Sequence, residues 1–346
     1  MGKLPNVFTS KLPWAEAKHP IWPITQLLLR RNIHSYPFPS KLSSKQAKEV
    51  LETLKKPYDA LHFLHSLNPH EKELLFEHFI LHEGFEKKDR EEGFIVNDTG
   101  NFLGLINLED HLHLRMISFE THLNSAWEAL SQMEQSASKD LSFAFSPKFG
   151  YLTSDPTVCG TGLSAQAFLH IPTLLHLEKF NDLRETFPDE ISVKGLGKEG
   201  EYIADFILIE NTYTLGVSEE NILKLVEETA EKCVEYETSL RKAFDRDHAP
   251  LLKDKMARAF GLLSSACSLQ IQETLSALSL IHLGQELGWI QKESSFRFFD
   301  LFFSSRRAHL SEQAHNENLT NDLLPSARAS YLRKTIASLD VNQLFI

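Results

Sequence analysis

Four side chains near residue 110 have the types and the spacing to act on one surface. Successive side chains of a strand point to opposite faces, so residues two positions apart share a face. A glutamate followed by two histidines at this spacing could bind a divalent cation. No further cluster of ligands is identifiable, and a half-buried polar strand face is the favoured interpretation, so no metal site is predicted. The four residues are Glu109, His111, His113 and Arg115.

A glycine-rich segment, residues 195–200, matches the G-x-G-x-x-G pattern of phosphate-binding loops. A dinucleotide site requires this loop to open a helix, whereas a strand-like segment follows here. A protein-kinase loop does lie between strands, but the sequence has no H-R-D, no D-F-G and no downstream V-A-I-K-type lysine. No Walker A sequence occurs either. The simplest interpretation is a hairpin tip that carries Lys194 and Lys198.

Apolar periodicity, caps and turns predict the elements that must position these side chains. The first forty residues are rich in proline and aromatic residues, which predicts an extended segment lying on a larger body. Ser43 and Ser44, Asn68 and Ser218 are candidate helix N-caps, and residues 97–101 predict a hairpin turn. Strands are predicted at 93–96, 102–107, 111–119 and 203–209, and helices at 45–54, from 69, at 123–133, from 219, and at 251–267, 275–287, 296–303 and 327–337.

A polar break that contains a proline, at residues 245–250, divides the chain. Every element predicted beyond the break is helical, so we expect two domains, at 1–245 and 246–346. A chain of 346 residues, 42% of them hydrophobic, can bury a large core. This composition excludes a disordered protein and a small disulfide-stapled scaffold.

The charge balance excludes further classes of protein. The chain has 36 Lys and Arg residues against 47 Asp and Glu residues, a net charge of −11, which argues against a protein that coats nucleic acid or anionic membrane. No stretch is long and apolar enough to span a bilayer. The 3 cysteines are too scattered for a disulfide framework. We therefore expect a cytoplasmic protein that binds neither nucleic acid nor membrane.

Several short segments form an ordered set of motifs. They are Arg31-Asn32, Tyr36–Pro39, Asn107–Leu112, Phe149–Thr157, Gly160–Leu163, Val193–Leu196 and Thr214–Gly216. In this order they resemble the ATP:guanido phosphotransferases, and more specifically the bacterial McsB-type protein-arginine kinases. That family writes N-E-E-D-H-L-R, G-Y-L-T-x-C-P-T-N-x-G-T-G-L-R, V-R-G-L and T-L-G. The helical tail is also similar, and the resemblance covers roughly residues 20–340.

The resemblance implies an α+β fold in which helices flank an antiparallel sheet, followed by an all-helical C-terminal module. It implies ATP-dependent phosphoryl transfer to the guanidinium of a protein arginine, with ATP and Mg²⁺ as cofactors. The implied partners are a protein-arginine substrate or a phosphoarginine protein, a McsA-type activator and a Clp chaperone, and a homodimer is left open. The family surrounds the ATP phosphates with arginines and holds the guanidinium with carboxylates and a cysteine.

Most of the family's phosphate-binding arginines are replaced in this chain. The two arginines of an early S-S-R-x-R motif correspond to Gln26 and Leu28. The arginine after D-H-L corresponds to His113, and the arginine after G-T-G-L corresponds to Ser164. Lys194 replaces the arginine of V-R-G-L, which keeps the charge and loses the bidentate fork. The nucleotide-site positions that the resemblance implies are Gln26, Leu28, His113, Ser164, Lys194, Gly195 and Lys198.

The candidate catalytic residues are carboxylates. Glu109 corresponds to the second glutamate of N-E-E-D-H, a candidate base or guanidinium clamp, while Leu108 replaces the first. Glu201 corresponds to the glutamate of the later glycine-rich segment, with a one-residue gap in the register. Asp155 takes the position of the reactive cysteine. Cys159 lies in the same loop and is interpreted as a structural thiol.

The sequence leaves two functions open. Removing one preorganised donor typically costs about 3–4 kcal/mol in the transition state, or roughly 100- to 1,000-fold in rate. The first function is a protein-arginine kinase with an eroded active site, in which Arg30, Arg115 or Lys198 supplies replacement charge. The second is a pseudokinase that serves as a binding or regulatory scaffold in a McsA/Clp-type stress or proteolysis pathway. The C-terminal phosphoarginine motif R-D-x-x-R-A is eroded as well, since Arg328-Ala329 alone match it.

Overall fold

An eight-stranded antiparallel sheet lies at the centre of the part of the chain that the computed structural model describes. That part comprises residues 17–55, 61–78, 91–139, 141–197, 201–247, 249–291, 296–313, 319–337, 339 and 341. The strands are β1 (Ile24–Arg31), β2 (Leu61–Phe63), β3 (Gly93–Val96), β4 (Phe102–Ile106), β5 (Leu112–Ser118), β6 (Phe145–Ser146), β7 (Gly150–Tyr151), β8 (Leu163–His170), β9 (Ile191–Gly195) and β10 (Phe206–Asn211). Their order in the sheet is β2-β3-β4-β5-β1-β8-β10-β9, while β6 and β7 form a separate hairpin.

Helices cover both faces of this sheet. They are α1 (Ser44–Lys55), α2 (Pro69–Glu77), α3 (Leu123–Ser138), α4 (Pro172–His176), α5 (Phe180–Arg184), α6 (Glu219–Asp247), α7 (Ala249–Ser265), α8 (Ile271–Glu286), α9 (Phe298–Ser304), α10 (Arg307–Gln313) and α11 (Leu324–Ile336). The α+β fold class with a helical C-terminal region is therefore confirmed. None of the described helices combines the length and the apolar character needed to cross a bilayer.

Local signals in the sequence account for several element boundaries. Asn68 caps α2, because its Oδ1 accepts a hydrogen bond from the Glu71 amide at 2.8 Å. The Glu71 carboxylate in turn accepts from the Asn68 amide at 2.9 Å, which completes a reciprocal capping box. The predicted hairpin forms between β3 and β4, where Asn97 Oδ1 accepts from the amide of Phe102 at 3.1 Å.

Two predictions about extended segments need correction. The segment predicted to lie extended on the body contains the central strand β1, which pairs with both β5 and β8. Strand β1 is covered on both faces, so it lacks the alternation of apolar and polar residues that reveals a half-buried strand. The predicted strand 203–209 begins as a 3-10 turn in which Ala204 and Asp205 have positive φ angles of 53° and 58°, and β10 starts only at Phe206.

One face of the sheet is almost entirely apolar. Leu27, Leu29 and Leu114 are fully buried there against α1, α3 and α6. Cys233 of α6 lies in the same core. Arg31 of β1 is the polar exception among these side chains, and its Nε donates to Glu134 of α3 at 2.8 Å.

The opposite face carries two apolar clusters with a polar region between them. At one end of the strands Ile24, Ile117, Phe168 and Phe206 pack against the C-terminal helices α7, α8, α9 and α11. Leu103 and Leu105 of β4 form the other cluster with α2 and with Ala308 of α10. The C-terminal helices therefore share their core with the sheet. The predicted division after residue 245 falls inside α6, two residues before the helix ends at Asp247, and it stays a prediction.

Two buried polar networks fasten the C-terminal helices to the rest of the chain. Glu77, at the end of α2, accepts hydrogen bonds from the amide of Ala308 at 2.9 Å and from His309 Nδ1 at 2.6 Å. At the other end of the same face, the hydroxyl of Ser279 in α8 donates to Asp205. The His170 Nε2–H therefore donates to Ser279 Oγ at 2.7 Å. The hydrogen bonds of both networks pair donors with acceptors, which offsets the cost of burying these polar groups.

Candidate functional site

The region between the two apolar clusters is a strip of mostly polar side chains from three adjacent strands. Directly opposed residues share a face, and the register places Leu28 between Arg115 and Ser164. Arg30 lies opposite His113 in the same way. The structure thus brings together four of the predicted nucleotide-site positions. We call this set the polar strip: Gln26, Leu28, Arg30, His113, Arg115, Ser164 and Gln166.

The polar strip contains two arginines, and one of them, Arg30, lies close to the carboxylates at its end. Arg30 Nη1 is 2.8 Å from Glu109 Oε2 and 3.7 Å from Asp110 Oδ2. Burial lowers the pKa of the Arg115 guanidinium to about 10, and the neighbouring charge of Arg30 acts in the same direction. Arg30 and Arg115 do not correspond to arginines of the family motifs. They therefore place positive charge on this face at positions that differ from those of the family.

Asn32 fixes the turn that carries Glu109. Its Nδ2 donates to the buried carboxylate of Asp110 at 2.6 Å and to the Leu152 carbonyl at 3.1 Å, and its Oδ1 accepts from the His111 amide at 3.0 Å. Asp110 also accepts from the Ser154 amide at 2.7 Å. These bonds tie the turn before β5 to the loop before β8. Asn32 belongs to the R-N motif, but the sequence does not reveal this role.

His111 does not join Glu109 and His113 on a common strand face. Residues 107–111 form a bend, and β5 begins only at Leu112, so the alternation expected from residue 109 is broken. His111 Nδ1 accepts from the Ile33 amide at 3.0 Å, and its Nε2–H therefore donates to the Pro37 carbonyl at 3.1 Å. Burial lowers the pKa of His111 to about 4. This imidazole is a neutral structural group that fastens residues 33–37.

Asp155 lies at the exposed end of the loop before β8. Its carboxylate accepts from the Thr157 hydroxyl at 2.7 Å and from the Thr157 amide at 2.9 Å, and these bonds lower the pKa of Asp155. The charge of Arg30 lowers the same pKa further, which places Asp155 within electrostatic reach of the Arg30–Glu109 pair. Cys159 is half-buried, and its Sγ lies 3.4 Å from the Thr153 amide. The thiol is thus engaged within its own loop.

Lys194, the one family cation replaced by another cation, is engaged by an acidic neighbour. Its Nζ forms a salt bridge with Glu210 of β10, whose other carboxylate oxygen accepts from Gln166 at 2.9 Å. Gly195 follows Lys194 at the end of β9. Glu210 was not predicted as part of the site. The Lys194–Glu210 pair forms because β9 and β10 are adjacent strands. A single sequence does not show which strands are adjacent or in which register they pair.

Glu201 stands far from Glu109 along the strands. It lies in the connection between β9 and β10, at the end of the sheet where Phe206 pairs with His170. Glu109 lies at the other end, where Arg31 pairs with Leu112. Seven residue steps of β8 separate these ends, about 24 Å at a rise of about 3.4 Å per residue. The described conformation does not bring Glu201 to Glu109, and Lys198 lies outside the described residues.

The polar strip does not fit the phosphates of Mg-ATP as the family binds them. Stabilising transferred phosphates requires preorganised cations, because charge neutralisation dominates this chemistry. Gln26 and Ser164 are neutral, Leu28 is apolar, and His113 is buried. Lys194 is already paired with Glu210. The local charge pattern therefore differs from the one that the family motifs imply.

Arg328, the arginine that remains of the C-terminal R-D-x-x-R-A motif, has a structural role. Arg328 is buried, with its Nε donating to the Ser305 carbonyl at 2.7 Å and Nη1 donating to the Leu269 carbonyl at 2.6 Å. These bonds join α11 to α9 and to the segment before α8. The guanidinium thus stabilises the helical module.

Comparisons with known proteins agree with the motif order. Residues 43–240 match the family model of the ATP:guanido phosphotransferase C-terminal catalytic domain, and residues 249–344 match the model of the protein-arginine kinase McsB C-terminal domain. The chain is 33% identical to a protein-arginine kinase of Chlamydia pneumoniae over 91% of each chain. It is 32% identical to that of Chlamydia muridarum, over 89% of this chain and 90% of the relative.

Solved structures show the same fold. A lombricine kinase superimposes with a TM-score of 0.58 at 19% identity, over 70% of this chain and 74% of that chain. The sequence motifs, the two family models and the relatives, which overlap this chain over about nine-tenths of its length, all lead to one assignment. The chain belongs to the ATP:guanido phosphotransferase family, as a divergent member of its McsB-type protein-arginine kinases.

Proposed function

We propose that phosphoryl transfer to protein arginine is strongly weakened or lost in this chain, and that binding of arginine-bearing proteins is the function that remains. Family membership supports protein arginine as the substrate class. The polar strip supports the weakening. The protein would then act as a binding or regulatory scaffold, with a McsA-type activator or a Clp chaperone as the partners that the family suggests.

Leu28 is the observation that carries this proposal. Its side chain lies between Arg115 and Ser164 on the face that the family uses for phosphates, and only 8% of the residue is exposed. An isobutyl group offers no hydrogen bond and no charge to a phosphate. Removing one such donor costs about 3–4 kcal/mol in the transition state, and several donors are replaced here at once. Even with strong non-additivity, the rate is expected to fall by many decades.

The guanidinium end of the site is better preserved than the phosphate end. Glu109 is 63% exposed, and its turn is held in place through Asp110 and Asn32. Asp155 is exposed in the adjacent loop. These two accessible carboxylates lie on a turn and a loop that the Ser154 hydroxyl joins, and a guanidinium binds carboxylates through paired hydrogen bonds. This end of the site supports binding of an arginine side chain without requiring a nucleotide.

A second candidate function is a residual kinase with relocated cations. Arg30 and Arg115 share the face of the polar strip, and the charge of Arg30 lowers the pKa of Arg115. Two guanidinium groups in such proximity would be stabilised by an anion between them. On this view they take over phosphates that Gln26, Leu28 and Ser164 no longer bind.

Calorimetric titration of the purified protein with Mg-ATP, followed by an assay for acid-labile phosphate on an arginine-rich protein, separates the two candidates. Glu109→Gln tests the candidate base, and Glu128→Gln, an exposed position on α3, is the matched control. The proposal predicts no binding at millimolar nucleotide and no acid-labile phosphate with any of the three proteins.

Nucleotide binding with turnover that disappears in Glu109→Gln and persists in Glu128→Gln would refute the proposal and establish the residual kinase. The double variant Gln26→Arg/Leu28→Arg supplies a second test. It restores the two family arginines, and we expect it to gain nucleotide affinity relative to the parent protein. Its far-UV circular dichroism spectrum checks that the two buried charges have not unfolded the sheet.

A further inference from the structure

We propose that Arg30 occupies the guanidinium position of the site, so that an arginine side chain of another protein binds Glu109 only by displacing it. This inference rests on the proposed role of Glu109 as the guanidinium-binding carboxylate. It adds an internal competitor to that site. The chemical class of ligand is the arginine side chain of a peptide or protein.

The contact has the geometry of a substrate-like interaction. Arg30 Nη1 lies 2.8 Å from Glu109 Oε2, which is a charge-assisted hydrogen bond, and 3.7 Å from the buried Asp110 Oδ2. One guanidinium therefore faces two consecutive carboxylates. An external guanidinium would meet the Glu109 carboxylate from the solvent side, since Glu109 is 63% exposed.

The turn that carries Glu109 and Asp110 is held more firmly than the side chain of Arg30. Asp110 is fixed by Asn32 and Ser154, and the Glu109 carbonyl accepts from the Ser154 hydroxyl at 2.5 Å. The Arg30 amide donates to the Gly162 carbonyl at 3.0 Å, so its backbone is anchored in the sheet. The Arg30 side chain remains 23% exposed and can rotate toward solvent without breaking a strand hydrogen bond. Displacement therefore needs only side-chain motion.

Charge strengthens the competition. While Arg30 stays in place, it neutralises Glu109 and repels a second guanidinium at short range. Removing Arg30 both vacates the carboxylate and removes this repulsion. A pair of this exposure is worth up to about 1 kcal/mol, which corresponds to a roughly fivefold change in affinity.

The test uses the full chain without nucleotide, and Nα-acetyl-arginine methylamide as the probe, with the lysine analogue for comparison. Affinity is measured by NMR chemical-shift titration up to millimolar probe. Arg30→Ala should bind the arginine probe about fivefold more tightly than the parent protein. Arg184→Ala, an exposed arginine at the end of α5, is the control and should bind like the parent.

Two further variants make the outcome specific. Glu109→Gln added to Arg30→Ala should abolish the gain, because the gained contact is to that carboxylate. Arg30→Lys should restore most of the competition, since it keeps the charge. Equal or weaker binding by Arg30→Ala, including no detectable binding, would overturn the inference, as would an equal gain for the lysine probe.

This experiment is independent of the nucleotide test. Because no ATP is present, an active kinase could still show Arg30 competition, and an inactive protein could lack it. Failure of the proposed loss of phosphoryl transfer would appear only as acid-labile phosphate in the enzymatic assay. Failure of the internal competitor would appear only in the probe affinities.

Discussion

Replacing Asn32 by aspartate perturbs the hub of the site without changing its shape. Aspartate matches asparagine in volume but has no N–H to donate. Asn32 Nδ2 lies 2.6 Å from Asp110 Oδ1, and both residues are buried. The substitution therefore places two carboxylates against each other in a buried position. The carbonyl oxygen that accepts from the His111 amide is retained.

The size of the effect follows from the bonds that are lost. A hydrogen bond to a charged group contributes about 1.5–3 kcal/mol, and the bond to the Leu152 carbonyl about 1 kcal/mol. Leaving a buried charge without its partner costs about 3–5 kcal/mol when a buried pair is broken. These terms overlap, so we expect Asn32→Asp to lower the free energy of unfolding by about 4 kcal/mol at neutral pH.

The loss should depend on pH with a definite sign. Repulsion between the two carboxylates raises their pKa above the unfolded value of about 3.9. The native state of the variant then binds more protons than its unfolded state, and stability is lost as the pH rises through the raised pKa. The deficit relative to the parent protein should therefore be larger at about pH 7 than at about pH 5.

Urea unfolding followed by far-UV circular dichroism measures both quantities. Asn32→Ala removes the same donor without adding a charge, so its deficit should depend less on pH than that of Asn32→Asp. Asn181→Asp, at an exposed position in α5, controls for the added charge and should change little. A deficit for Asn32→Asp below about 1 kcal/mol, or one that is the same at both pH values, would refute the role assigned to Asn32.

Two other expectations concern buried titratable groups. Glu77→Gln should destabilise the protein by about 3 kcal/mol and accelerate amide exchange at Ala308 and His309, which donate to that carboxylate, whereas Glu128→Gln should leave that exchange unchanged. Unchanged exchange in Glu77→Gln would contradict this assignment. Because burial lowers the His111 pKa from 6.5 to about 4, the unfolded state binds more protons, and His111 should reduce stability by up to about 3 kcal/mol as the pH falls from about 7 to about 4. Urea unfolding of the parent and His111→Asn at both pH values measures this term, and an identical pH dependence in the two proteins would exclude it.

Features that depend on local sequence could be predicted well. The Asn68 cap, the hairpin around Asn97 and the long helix after Ser218 each arise from residues within a few positions of one another. The ordered motifs led to the correct family because they preserve residue types and order together. The fold then followed from the family, since composition alone does not determine topology.

Features that depend on long-range pairing could not be predicted from the pattern. Strand β1 was interpreted as an extended segment because a central strand buried on both faces has no alternation. The prediction that Glu109, His111 and His113 share one strand face was wrong. A bend precedes β5, and side chains alternate between faces only within a strand. The Lys194–Glu210 pair joins residues of adjacent strands whose register the sequence does not state.

The aromatic core shared by the sheet and the C-terminal helices limits how this protein can be divided for laboratory work. Phe206 of β10 contacts Phe298, Phe299 and Phe302 of α9, with ring centroids 6.0 to 6.1 Å apart. Truncation near residue 245 would uncover these rings on both pieces. Each fragment would then present an apolar surface prone to self-association. Because the two segments share this apolar core, they should be expressed together as one chain, even though separate family models match them.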